Sequence, residues 1–110
     1  MKTIVGFHAH VYFDPETQAT ATELRKEVGG QFAVQLGRVH SKPIGPHSKG
    51  MFQIAFAPTL FSSLVPWLML HRNGLDVLIH PETGDELADH STYAAWLGAR
   101  LPLDLGVLAN

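Results

Sequence analysis

Alternation of apolar and polar side chains begins almost at the start of the chain. From Ile4 to Phe13 it puts Phe7, Ala9, Val11 and Phe13 on one face and His8, His10 and Tyr12 on the other, the period-two pattern of a half-buried strand. Asp14-Pro15-Glu16 then opens a predicted helix, with Asp14 as N-cap and Pro15 at the first helical position. Ala21, Leu24 and Val28 recur at helical spacing, and Gly29-Gly30 predicts the helix end. Gln31 to His40 reads as a second strand, followed by a loop from Ser41 to Gly50 rich in Pro and Gly. Met51 to Ala57 reads as a third strand, with Phe52, Ile54 and Phe56 facing one way and Gln53 the other. Thr59 is the expected cap of a second helix that runs to Arg72 and is kinked by Pro66. Leu75 to His80 gives a fourth strand, and His80-Pro81-Glu82-Thr83-Gly84 a tight turn. Asp89 is the expected cap of a third helix from His90 to Leu97, and the apolar remainder, Ala99 to Asn110, is expected to lie against the body.

The order β-α-β-β-α-β plus a C-terminal helix predicts an α+β domain of ferredoxin-like type, with an antiparallel-type sheet in the strand order 4-1-3-2. In that arrangement His8, His40, His47 and His80 are expected at one end of the sheet, with His10 two residues further along the first strand on the face of His8. Two helices should cover the apolar face. The other face carries His8, His10, Tyr12 and Gln53 and needs a cover of its own: a second subunit, the third helix or the C-terminal tail. A homodimer is the expectation, by analogy with other sheets of this type.

Composition narrows the function classes. A chain of 110 residues fits one domain, 1–110, and its 45% hydrophobic and 16% charged residues describe a compact domain rather than a disordered one. A net charge of −2, with Lys and Arg scattered, gives no basic field for nucleic acid. The absence of cysteine excludes disulfides and thiolate metal sites. The N-terminus runs straight into a strand pattern, so no signal peptide is expected. The longest apolar stretch, Leu64 to Leu70, is too short for a membrane span and contains Pro66. A cytoplasmic location is the expectation.

Against that background the seven histidines stand out, because neutral imidazole is a common metal ligand and an acid/base near neutral pH. His8 and His10 share a strand face about 7 Å apart at the backbone. His47 sits on the rigid turn Gly45-Pro46-His47, and His80 closes a strand before Pro81. All-nitrogen ligands, with Glu82 as a nearby carboxylate, suit Fe(II) or Zn(II), and both a three-His and a two-His-one-carboxylate set stay open. His90 reads either as a surface residue or as an acid/base, His40 as a strand-end surface residue, and His71 as a structural residue in the last turn of a helix. Arg38 and Arg72 are the candidates for holding an anionic group. Trp67 and Trp96 read as core residues.

A series of segments, in order, makes the chain similar to one family: His8-Ala9-His10-Val11-Tyr12-Phe13, Gly37-Arg38-Val39-His40, Gly45-Pro46-His47, Met51-Phe52-Gln53, Pro66-Trp67-Leu68, Arg72-Asn73-Gly74-Leu75, Val77-Leu78-Ile79-His80-Pro81-Glu82-Thr83-Gly84-Asp85, Asp89-His90 and Trp96-Leu97-Gly98. It resembles the DOPA 4,5-dioxygenase family over nearly its whole length. That resemblance implies extradiol cleavage of DOPA or a related catechol by O2 at a non-haem iron(II), which zinc or another divalent ion can replace in a purified sample. It points to His8, His10, His47 and His80 as metal ligands, without fixing which three bind. His8 and His90 are then the candidates for acid/base work, and Arg38, Tyr12 and Gln53 for substrate contact, with Arg38 on the substrate carboxylate. The competing readings are a different histidine–metal enzyme, such as a zinc hydrolase or isomerase, and a non-catalytic binding protein on the same scaffold.

Overall fold

The computed structural model describes residues 2–109. Strand β1 (Gly6–Phe13) is the middle strand of a five-stranded sheet in the order β2-β3-β1-β4-β5, with every neighbouring pair antiparallel. β2 is Gln35–Leu36, β3 Gly50–Phe56, β4 Val77–Glu82 and β5 Ala95–Leu97. Helix α1 (Gln18–Gln31) follows a 3-10 turn at Pro15–Thr17, α2 (Phe61–His71) follows another at Pro58–Leu60, and α3 (Glu86–Asp89) is a single turn. Among the described residues, no helix is long and apolar enough to cross a membrane.

The alternation along β1 does what the sequence predicts. Ala9, Val11 and Phe13 join Phe52, Ile54 and Phe56 of β3 in one core with Ala21, Leu24 and Val28 of α1 and Leu64, Val65 and Leu68 of α2. Burying such a set is the dominant favourable term in folding, at about 25 cal/mol per Å² of apolar surface. The opposite face carries a smaller cluster of Tyr12, Met51 and Leu78, closed by Ala94, Trp96, Leu101 and Leu103.

Four expectations need correction. α1 runs through Gly29-Gly30 to Gln31, because these glycines do not take the left-handed backbone of a helix stop. At Gly29 a Cβ would lie 2.9 Å from Leu36 Cδ1, so glycine here allows the helix to pack closely on β2. The second strand shrinks to Gln35–Leu36, with further single contacts to β3 from Gly37 N–H to Gln53 O (2.8 Å) and between His40 and Met51. α2 begins after a 3-10 turn whose N-cap is Ala57 rather than Thr59, and it continues through Pro66.

The third helix expected over His90–Leu97 is absent. Asp85 caps α3, its Oδ1 accepting from Ala88 N–H at 3.1 Å. Asp89 is drawn away instead: its carboxylate accepts from Thr83 N–H (3.0 Å) and Thr83 Oγ1 (2.6 Å). Ala95–Leu97 then pairs with β4 as a fifth, edge strand, with Trp96 opposite Leu78. The first four strands keep the expected neighbours, 4-1-3-2, and β5 adds a fifth strand beside β4 that was not expected.

From Gly98 the chain turns back over the histidine-bearing face. Gly98 has φ +82°, and a Cβ there would meet Asp76 Oδ1 at 2.5 Å, so only glycine suits this corner. Two backbone donors pin the strap that follows: Ala99 N–H to Asp76 Oδ1 (2.7 Å) and Asp104 N–H to Pro46 O (2.8 Å). This segment is the tail expected to lie against the body; Asn110 falls outside the described residues.

Candidate metal centre

Five histidines meet on this face. Strand register does the first part: on β1, His8 lies directly opposite His80 of β4, and His10 lies between Gln53 of β3 and Leu78 of β4. His8 and His10 thus share a face with His80 because antiparallel partners point the same way.

His47 arrives by a different route from the one expected. Because β3 runs antiparallel to β1, its start at Gly50 lies beside Phe13, the far end of β1 from His8. The expectation of four histidines at one sheet end therefore fails. The turn at Gly45 (φ +58°) and the Pro46–Asp104 link fold the loop inward, and His47 Nδ1 lies 2.7 Å from Tyr12 Oη. His40 stays behind at the Met51 bridge. His71 stacks on Trp67 at 4.5 Å with its Nδ1 2.8 Å from Trp67 O, a helix-end role as expected.

His90 is the residue the sequence undervalued. It is only 7% exposed, and its ring lies 4.1 Å from that of His80 and 6.2 Å from those of His10 and His47. A better reading of the cap would have found it: with Asp85 as N-cap, His90 falls one helical turn after Glu86, whose carbonyl oxygen takes its Nδ1 at 2.7 Å.

The histidines form two groups that could hold a metal ion. The ligand atoms of His8, His10 and His80 lie within 4.8 Å of one another, and so do those of His10, His47 and His90. His10 belongs to both sets and is the hub. Its Nε2 sits 3.1 Å from His80 Nε2. Two nitrogens bound to one ion at about 2.0–2.1 Å would stand about 2.9–3.4 Å apart, so this spacing suits a shared ion. His10 Nδ1 is buried without any partner, so whichever tautomer the ring takes, the protein does not satisfy it.

The other four rings are each held by one nitrogen. His80 Nδ1–H donates to Pro81 O (2.9 Å) and His90 Nδ1–H to Glu86 O (2.7 Å). His47 is held by Tyr12, and His8 Nε2 faces Glu82 Oε1 at 2.9 Å. Fixing one ring nitrogen in this way orients the other as a lone-pair donor, the arrangement that accompanies metal ligation.

Electrostatics keeps those lone pairs free. Burial pushes His47 and His80 down to about 4, the His80 shift partly offset by its bond to the Pro81 carbonyl. Burial, reinforced by His47 and His80, holds His10 well below the usual histidine range. Burial also lowers His8, against the opposing pull of Glu82. These four rings are neutral near pH 7. Burial raises the Tyr12 phenol, which therefore stays protonated.

The sequence candidates for substrate contact fall in different places. Gln53 is half-buried opposite His10 on the same face. Tyr12 is 1% exposed, stacked on Trp96 at 5.8 Å, and its hydroxyl is occupied by His47. Arg38 is exposed and lines a depression with His40 that includes none of the five clustered histidines. Arg72 turns to Leu75 O at 3.0 Å. Glu82 lies with His8 on a depression of about 370 Å³. Trp67 packs against the helix-side core as expected, and Trp96 against the second cluster.

With this geometry in hand, comparison with known proteins is decisive. The sequence pattern of the Dopa 4,5-dioxygenase family matches residues 7–107. The chain belongs to that family. A DOPA 4,5-dioxygenase of Amanita muscaria is 38% identical to it over 96% of this chain and 50% of the fungal protein. An uncharacterized 21.2 kDa protein of Botryotinia fuckeliana is 35% identical over 94% of this chain and 63% of that protein. The chain thus spans between half and two-thirds of the length of these two relatives. A crystal structure from Nostoc punctiforme, of a protein provisionally named a dioxygenase, superposes with a TM-score of 0.94 at 57% identity, covering 96% of this chain and 91% of that one.

Proposed function

We propose that this member of the Dopa 4,5-dioxygenase family binds iron(II) in its histidine cluster and cleaves a catechol ring beside the diol, adding both atoms of O2 to the product. The observation that carries the reading is His10: a buried ring shared by two ligand triads, with its Nε2 3.1 Å from His80 Nε2, a spacing that suits two ligands of one ion. His10, His47, His80 and His90 form the buried set from which the ligands come. A bound iron(II) supplies Lewis acidity at the diol and electron exchange with O2.

The protein's own groups do the rest. Glu82 holds His8 through Nε2, leaving Nδ1 to take a proton from the diol and return it later. His8 suits this role because it is less buried than the other four and stands at the edge of an open depression. Tyr12 keeps His47 in place from behind, and Gln53 lies beside His10 where a bound ring would pass. The strap after Gly98 limits water on this face, and two sheets need not pair face to face to close it.

The test is anaerobic loading with Fe(II), followed by L-DOPA and then O2. One O2 consumed per L-DOPA, with a yellow ring-opened product, is the expected outcome. Tight metal binding without O2 uptake on any catechol would favour a zinc-type hydrolase or isomerase. A protein that takes up no Fe, Zn or Mn would be a binding protein only.

A further inference from the structure

Two depressions border the cluster, and their linings differ in charge. On one side lies the depression beside His8 and Glu82, whose lining contains no Lys or Arg. On the other lies a hollow of about 170 Å³ lined by His90, Ser91, Trp96, Arg100, Leu101 and Leu103 among others. Among the described residues Arg100 makes no ion pair or side-chain hydrogen bond, and Ala99, immediately before it, is anchored on Asp76. The same hollow offers the apolar walls Leu101 and Leu103 and the Trp96 ring for an aromatic body.

We propose that Arg100 receives a carboxylate on the substrate, so that anionic catechols enter with the tail at Arg100 and the diol at the histidines. This rests on the function proposed above and replaces Arg38 as the residue that reads the anionic group. The physical case is the opposite charge of the two linings, Glu82 in one and Arg100 in the other. A carboxylate entering beside Glu82 meets a like charge, whereas on the His90 side it meets a guanidinium, whose planar fork of donors matches a carboxylate. Arg38 instead lines a depression whose lining includes none of the five histidines.

The test compares Arg100→Gln, Arg100→Lys and Arg38→Gln in the Fe(II)-loaded protein, with 3,4-dihydroxyphenylpropanoate and neutral 4-methylcatechol as probes. Steady-state turnover is measured with O2, and calorimetric binding without it. Because Arg100 is exposed, its contribution is moderated by solvent, and Arg100→Gln should raise the KM and the calorimetric Kd for the carboxylate by about tenfold. It should change both by less than about twofold for 4-methylcatechol, leave kcat and iron content unchanged, and be partly rescued in Arg100→Lys. Equal effects on both probes, no effect on either, or a selective effect in Arg38→Gln instead would overturn the proposal while leaving the dioxygenase reading intact. If the wild-type protein turns over neither catechol, both readings fall together.

Discussion

The two faces of the sheet are built on opposite plans. One is covered by α1 and α2, and its side chains come from regular elements in strict alternation: Ala9, Val11, Phe52 and Ile54 against Leu24, Leu64 and Leu68. The other is closed by irregular chain: the loop carrying His47, the turn carrying His90 and the strap after Gly98. Among the described residues, the buried cluster of the first face is apolar throughout. The second leaves His10 Nδ1 without a partner and keeps neutral rings crowded together. If one face serves stability and the other the proposed binding, substitutions should separate the two.

The widest separation is expected from His10→Ala. It removes the hub of both triads, so metal content and turnover should fall by more than about a thousandfold, equivalent to roughly 4 kcal/mol. The metal-free variant should unfold at a denaturant midpoint close to that of the metal-free wild type, because an unsatisfied buried group is lost with the ring. Retained iron in His10→Ala would break the comparison.

Phe52→Ala addresses the other face. Cavity formation there should cost about 3–5 kcal/mol in denaturant unfolding, while the folded fraction keeps wild-type metal stoichiometry. Loss of metal binding from the still-folded protein would mean that the two faces are coupled.

Tyr12→Phe tests the support behind the histidine cluster. It leaves His47 Nδ1 without its 2.7 Å partner. Metal affinity should fall by about 10–100-fold, read by competition with a chromogenic chelator, and an unchanged affinity would remove Tyr12 from the site.

A further test is one of pH. His47 and His80 titrate near 4 in the folded chain and near the ordinary 6.5 when unfolded. In that window the unfolded chain binds more protons, so the metal-free protein should be most stable above pH 6.5 and lose stability as pH falls from 6.5 to 4. Thermal unfolding at pH 7 and 5 reads this, and an equal Tm at both values would refute the assigned burial of these rings.

What could be read in the sequence follows the same division. The alternation of β1 placed His8, His10 and Tyr12 together because strand geometry is local, and the spacing of Ala21, Leu24 and Val28 did the same for α1. The turn Gly45-Pro46-His47 marks His47 as a candidate, but the strand order alone puts it at the wrong end of the sheet. Its position depends on contacts with Tyr12 and, through Pro46, with Asp104, partners far away in sequence that no period encodes. His90 and Trp96 were misplaced together because Asp89 looks like an N-cap, and only the fold shows its carboxylate committed to Thr83. Arg100 carries no sequence pattern of its own and becomes visible only once the strap is seen to cross the face.

The cluster also bears on how a cysteine-free chain can be held together. Its members come from β1, a loop, β4 and the turn before β5, so His10 and His80, 70 residues apart, stand within reach of a single ion. Coordinate bonds there would act as a removable cross-link. An ion that binds only the folded chain adds about 2.7 kcal/mol of stability when present at 100 times its dissociation constant. Its availability would then govern how long the protein persists as well as whether it reacts, and chelation would shorten its lifetime against proteases.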